Sequence, residues 1–232
     1  MADITSNLVA WYRLDETSGT TATDSSGNGN DGTYVNSPTL NVTGAFGTST
    51  AVTFLSTSSQ RVTLPNDLLA GATAVSCGFW LKLTAATFRT VASISYSYPN
   101  SGIVIRTSNA AATISVFTDN GSETETKSVT TLSTGTWYHV CVVCDGTTVI
   151  YIDGVSDKTQ ASRPFSISSG IASYIGAMNT TNYMSGTLDD VRFYSRALSS
   201  DDVSALYAYT GSVGPLIGPG RLTNFGGRLI RN

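Results

Sequence analysis

Two acidic stretches of the chain carry the residue types that could do chemistry. The loop spanning residues 24–32 reads DSSGNGNDG, in which Asp24, Asn28, Asn30 and Asp31 offer side-chain oxygens. Its glycines let backbone carbonyls turn inward, a donor set suited to calcium, which takes roughly six to eight oxygens. The spacing is not that of an EF-hand. The second stretch is the Asp189-Asp190 pair within GTLDDVRFY. On a regular strand Asp189 shares a face with Val191 and Phe193, while Asp190 sides with Leu188, Arg192 and Tyr194. If the first set faces the core, Asp189 is a buried carboxylate and needs a partner. A cation is one candidate; the other is a tight Asx-turn cluster in which carboxylates cap backbone N–H groups without metal.

Catalytic sets are poorly represented. The chain has three glutamates, Glu16, Glu123 and Glu125. Glu123 and Glu125 share a strand face at roughly 7 Å, closer to an inverting than a retaining pair. They stand in SETETKS, where alternation with threonine implies a solvated edge, and exposed carboxylates make poor general acids. His139 is the only histidine, and no Asn or Asp is evident to orient it towards Cys141. With no second Cys-His cluster, zinc is not expected. Cys77, Cys141 and Cys144 cannot all pair, and Cys141 and Cys144 point to opposite strand faces, so free buried thiols are expected.

Binding groups are more plentiful. Trp80 lies on the polar face of its strand, and Tyr96 and Tyr98 stand near a Pro-Asn turn. Sugar rings stack on such aromatics while amides reach their hydroxyls. Asn179 and Asn182 stand in a polar loop, NTTNY, that could supply those amides or be a solvated connector. A cover over Trp80 is the competing reading.

The elements that must hold these residues are strands. Only 12% of the residues are charged, and Ser, Thr, Gly and Asn crowd the sequence. Val75, Cys77, Phe79, Leu81 and Leu83 alternate with Ser76, Gly78, Trp80 and Lys82, as in a half-buried strand. Turn signals such as Asp145-Gly146 and Asp153-Gly154 recur at sandwich spacing. One short helix is predicted: Ser199 and Asp202 form a capping box, with Leu198 and Val203 as a hydrophobic staple, ending by about residues 209–211.

The net charge of −3 neither attracts nor excludes a partner class. It splits unevenly, −6 over residues 1–210 and +3 after them. Residues 1–211 therefore read as one domain and 212–232 as an apolar-basic arm, with Arg221, Phe225, Arg228 and Arg231 as its candidate partner contacts. The sandwich lacks the basic patch that nucleic acid needs. Neither a secretion signal nor an apolar run of the ~20 residues that span a membrane is evident.

Three stretches carry a family resemblance: residues 8–35, the strand-turn-strand GTWYHVCVVCDGTTVIYIDG at 135–154, and GTLDDVRFYSRALSSDDVSALY at 186–207. Together they resemble the laminin G-like jelly rolls of the concanavalin A-like lectin and glucanase superfamily, the bacterial and phage variety in particular. The resemblance implies an all-β, two-sheet antiparallel jelly-roll sandwich closed by one short C-terminal helix. It implies a core role for the Trp-x-His-Val stretch, and neighbouring first and last strands. That adjacency would bring the 24–32 loop to Asp189, giving a structural calcium site of Asp24, Asn28, Asn30, Asp31 and Asp189. The Glu-x-Asp-x-x-Glu strand of the superfamily's glucanases is missing. The expectation is a non-catalytic recognition or display protein, a phage virion component such as a capsid decoration or fibre. Its arm would bind other virion proteins or organise a homo-oligomer, and its sandwich would face outward, touching glycans. The alternative is a carbohydrate-binding module of a secreted bacterial enzyme or adhesin; a glycoside hydrolase stands third.

Overall fold

Sixteen strands, one 3-10 turn (Ser56–Ser58) and one α-helix account for the regular structure in a computed structural model that describes residues 2–47, 49–97, 101–108, 112–118, 124–161, 165 and 167–209. The strands are β1 (Leu8–Tyr12), β2 (Thr21–Ala22), β3 (Gly32–Val35), β4 (Thr39–Thr43), β5 (Thr50–Phe54), β6 (Arg61–Leu64), β7 (Val75–Leu83) and β8 (Arg89–Ser97). They continue with β9 (Ser101–Thr107), β10 (Ile114–Thr118), β11 (Thr124–Lys127), β12 (Trp137–Cys144), β13 (Thr147–Ile152), β14 (Val155–Ala161), β15 (Ser173–Ile175) and β16 (Gly186–Tyr194), followed by α1 (Ser200–Tyr207). All pairings are antiparallel. Sheet A runs β14-β13-β12-β7-β16-β5-β4, with β1 also on β16; sheet B runs β11-β10-β9-β8-β15-β6-β3-β2. This is the two-sheet sandwich that the sequence predicts, and β1 does pair with β16.

Alternation decides which side chains lie between the sheets. Val75, Cys77, Phe79, Leu81 and Leu83 of β7 enter the shared core with Val140 and Val142 of β12, and Val62, Ile94, Ile105 and Ile114 come from sheet B. Each such side chain, fully withdrawn from water, contributes about 1.5–3 kcal/mol. Cys144 joins this core while Cys141 faces the other way, and all three thiols are free and buried, as expected.

Strict alternation fails on β16. The register slips between Asp189 and Arg192, and Asp190 adopts a left-handed φ of 55°. This is a β-bulge. Leu188, Val191 and Phe193 therefore all enter the core, and Asp189, paired opposite Trp80, belongs to the outer face. The slip falls where β16 changes neighbours along one edge: β5 pairs with residues 186–188 and β1 with residues 191–194.

The helix covers the outer face of sheet A. Ser199 Oγ accepts from Asp202 N, Asp202 returns the bond to Ser199 N, and Val203, Leu206 and Leu198 pack on Cys141, Val143 and Tyr194. The capping box and staple are thus those read from sequence. The same corner gathers both ends of the domain, because Asp3 N donates to Asp202 at 2.9 Å and Arg196 donates to the carbonyls of Asp3 and Ser6. Edge strand β14 is latched towards sheet B: Asp157 accepts from Val129 N and Thr130 N, and Gln160 donates to the Glu125 carbonyl. Charged groups and such latches keep an edge from pairing with another chain. Among the described residues no helix is long and apolar enough to cross a membrane. The proposed arm, with Arg221, Phe225, Arg228 and Arg231, lies outside the described residues, as do Tyr98 and Glu123.

Candidate functional site

The predicted loop residues form a hydrogen-bond network around Asp24. Its Oδ1 accepts from Trp11 N and Ser26 N, and its Oδ2 from Ser26 Oγ and Asn30 N, all within 2.8–2.9 Å. Burial raises the carboxyl's pKa, but these donors outweigh it and hold the group below its ordinary value. Asp31 accepts from Asp24 N, and the amide nitrogens of Asn28 and Asn30 donate to the carbonyls of β1. Of the side-chain oxygens in this loop, both Asp24 oxygens and Asp31 Oδ1 accept from N–H or O–H groups.

Asp189 does not join this loop. Its Oδ2 accepts from Ala45 N at 2.9 Å and Ser49 Oγ at 3.0 Å, in the connection between β4 and β5. Burial pushes its pKa up to about 6 against those two bonds, with the neighbouring Asp190 and Asp15 charges adding to the rise. The bulge is the physical reason that the expected five-residue cluster is not assembled. Among the described residues no three His, Cys, Asp or Glu side chains gather as a metal would require.

Aromatic rings fill the rest of the sheet A outer face. Trp80 stacks on Tyr207 at 5.8 Å and 26° and meets Phe46 edge-on at 5.4 Å, so its indole face is covered from α1 and the β4-β5 connection. A cleft lined by Ala45, Phe46, Trp80, Tyr207 and Tyr209 remains beside it. His139, 3% exposed, lies against Trp80 and Tyr207; burial first and Arg192 second lower its pKa to about 3, leaving a neutral packed imidazole. Burial likewise pushes the Cys141 thiol far above its usual value, away from a nucleophile's range. Arg192 sits 4.3 Å from both the Trp11 and Tyr209 rings and pairs with Asp190 at 3.0 Å, while Trp11 Nε1 also donates to Asp190.

The outer face of sheet B holds the other predicted binding residues. Thr63, Tyr174 and Ser93 lie side by side across β6, β15 and β8, and Arg61 projects from the same face two residues before Thr63. The Arg61 guanidinium is 5.9 Å from the Tyr174 ring and 6.0 Å from the Tyr183 ring. Tyr183 is braced by its hydroxyl bond to the Thr180 carbonyl at 2.7 Å. Above them, Met178 and Thr181 close a tight turn through reciprocal backbone bonds. Asn179 and Asn182 take left-handed φ values of 54° and 50°, a conformation Asn tolerates better than most residues. Neither side chain hydrogen-bonds to a described residue, and Asn179 is exposed. Tyr96 is 7% exposed and packs with Val104, Phe117 and Met178, supporting this face rather than offering a platform.

The structure thus separates the predicted binding set. Asn179, Asn182 and Tyr96 belong to sheet B, and Trp80 to the covered face of sheet A. Arg61 and Tyr174 escape sequence reading because the β6-β15 pairing that joins them is long-range. Only outward alternation at Arg61 and Thr63 hints at them.

This chain belongs to the concanavalin A-like lectin/glucanases superfamily, whose laminin G-type family model matches residues 55–204. Among solved structures it is similar to domain 4 of AbnA, a GH43 extracellular arabinanase from Geobacillus stearothermophilus, in complex with arabinotriose. Identity there is 20%, over 87% of this chain and 98% of that one, with a TM-score of 0.67. It is also similar to the binding domain of Paraclostridial Mosquitocidal Protein 1, at 15% identity and TM-score 0.65, covering 88% of this chain and 52% of that one. The binding domain of botulinum neurotoxin DC in complex with SialylT matches at 16% identity and TM-score 0.66, covering 89% of this chain and 52% of that one. The chain spans about half the length of these toxin domains. At such identities the likeness shows the fold. No curated protein sequence matches the chain.

Proposed function

We propose that this domain is a non-catalytic module that binds glycans on the outer face of sheet B. The observation that carries the reading is the pair of half-buried tyrosines, Tyr174 and Tyr183, beside a tight turn whose Asn179 and Asn182 amides have no hydrogen-bond partner among the described residues. Rings for a sugar's apolar face next to free amides for its hydroxyls make a small-molecule site. The arabinotriose and SialylT complexes of similar folds support a sugar ligand. The test is a glycan array followed by calorimetry: the wild-type chain binds an oligosaccharide, and Tyr174→Ala with Tyr183→Ala weakens it about tenfold or more, at ~1–3 kcal/mol per lost contact. Unchanged binding in that double variant would remove the site. Hydrolysis of the bound glycan that is lost in Glu123→Gln with Glu125→Gln would instead make the protein a glycosidase.

An extracellular or particle-surface setting suits such a module. Display on a phage virion, with residues 212–232 as the attachment to other virion proteins or to further copies, rests on the arm's apolar-basic composition. Sedimentation of the full chain beside a version ending at Gly211 tests it, and equal mass with equal particle binding would count against it. Calcium binding by the Asp24 loop is tested by melting with calcium and with chelator; a rise in Tm with calcium would establish the ion.

A further inference from the structure

We propose that the sheet B site selects acidic sugars, with Arg61 gripping the carboxylate of a uronic or sialic acid residue. The inference rests on the glycan-binding reading above and specifies its ligand class. Arg61 is half-buried, and its Nε is withdrawn from water without a hydrogen-bond partner. Its one recorded bond is a long one, 3.5 Å from Nη1 to the Ser59 carbonyl. No carboxylate pairs with it among the described residues, although Arg13, Arg192 and Arg196 each have an aspartate within 3.1 Å.

A guanidinium kept partly out of water with donors unmet is costly, and a planar anion placed against its fork relieves that cost. Carboxylate is the planar anion that sugars carry. The Tyr174 and Tyr183 rings both lie about 6 Å from the guanidinium, which limits the side-chain freedom lost when a ligand arrives. They also supply the surface on which the ring bearing that carboxylate can lie. The domain's overall charge does not create the preference, since residues 1–210 carry −6 and repel polyanions at long range. Selectivity must arise at contact distance, where Arg61 acts.

The experiment measures calorimetric affinity for matched pairs of probes, 3′-sialyllactose against lactose and trigalacturonate against galactotriose. It uses the wild-type chain, Arg61→Gln and Arg61→Lys, with thermal melts confirming that the variants fold. The expected result is that one acidic probe binds about tenfold or more tightly than its neutral partner, the scale of one charge-assisted bidentate contact. Arg61→Gln removes the preference of the acidic over the neutral probe, and Arg61→Lys recovers only part of it. Equal affinity for acidic and neutral probes, or a preference that survives in Arg61→Gln, overturns this inference while the glycan-binding reading stands. Binding of neither member of either pair, together with an empty glycan array, overturns that reading and this one with it.

Discussion

On the outer face of sheet A and under its helix, Arg13, Arg192 and Arg196 meet Asp15, Asp190 and Asp202. On the outer face of sheet B, Arg61 lies near the Tyr174 and Tyr183 rings, with no carboxylate paired to it among the described residues. Both faces use cations against rings, but sheet A pairs its arginines with aspartates, and one of those pairs, Arg192 with Asp190, is buried. There Arg192 and Asp190 have side-chain exposures of 4% and 8%, so their groups answer to the fold. Arg61 and Tyr183 keep partial contact with water, so theirs can answer to a ligand. Ring-and-arginine clusters therefore need their charge partners counted before they are read as sites.

The sharpest way to break this contrast is Asp190→Ala, which leaves Arg192 buried and unpaired and deprives Trp11 Nε1 of its acceptor. We expect a loss of about 3–5 kcal/mol in urea unfolding. A loss below about 1 kcal/mol would mean that the sheet A cluster is no more structural than sheet B. Asp202→Ala comes next, at about 1–2 kcal/mol, because it removes the carboxylate that accepts from Ser199 N in the capping box, pairs with Arg196 and ties down Asp3 N. Asp202's pKa is held down to about 2 by Arg196 and the Ser199 and Asp3 donors, which overcome burial. Its contribution is therefore full above about pH 4, fades as pH falls through 2, and is absent from acid melts of the variant.

Asp189 has the opposite sign. Its folded-state pKa of about 6 exceeds the ordinary 3.8, so the wild type loses stability as pH rises from about 4 to 6. Asp189→Asn, which keeps an acceptor for Ala45 N and Ser49 Oγ, should lack that slope in melts across the interval. The smallest effect is expected on sheet B: Arg61→Ala changes unfolding free energy by roughly 1 kcal/mol or less, because half-buried Arg61 has no carboxylate partner among the described residues and its hydrogen bond to Ser59 is 3.5 Å long. A cost of several kcal/mol there would make Arg61 a fold residue.

Local pattern made most of the sandwich legible. The β7 alternation, the Asp-Gly turns and the Ser199 capping box are written in adjacent residues, and each is present as read. The bulge at Asp190 is not, since a left-handed aspartate carries no mark such as glycine would give, and one extra residue exchanged the faces of Leu188 and Asp189. The candidate site was half legible for a related reason. Asn179 and Asn182 announce themselves within one loop, whereas Arg61 and Tyr174 meet only because distant strands pair.

The corner where Asp3, Arg196 and Asp202 are tied together has a further consequence. Asp3 and Tyr209, near the two ends of the described fold, both sit on the sheet A side, so the Arg61 surface lies on the face away from both.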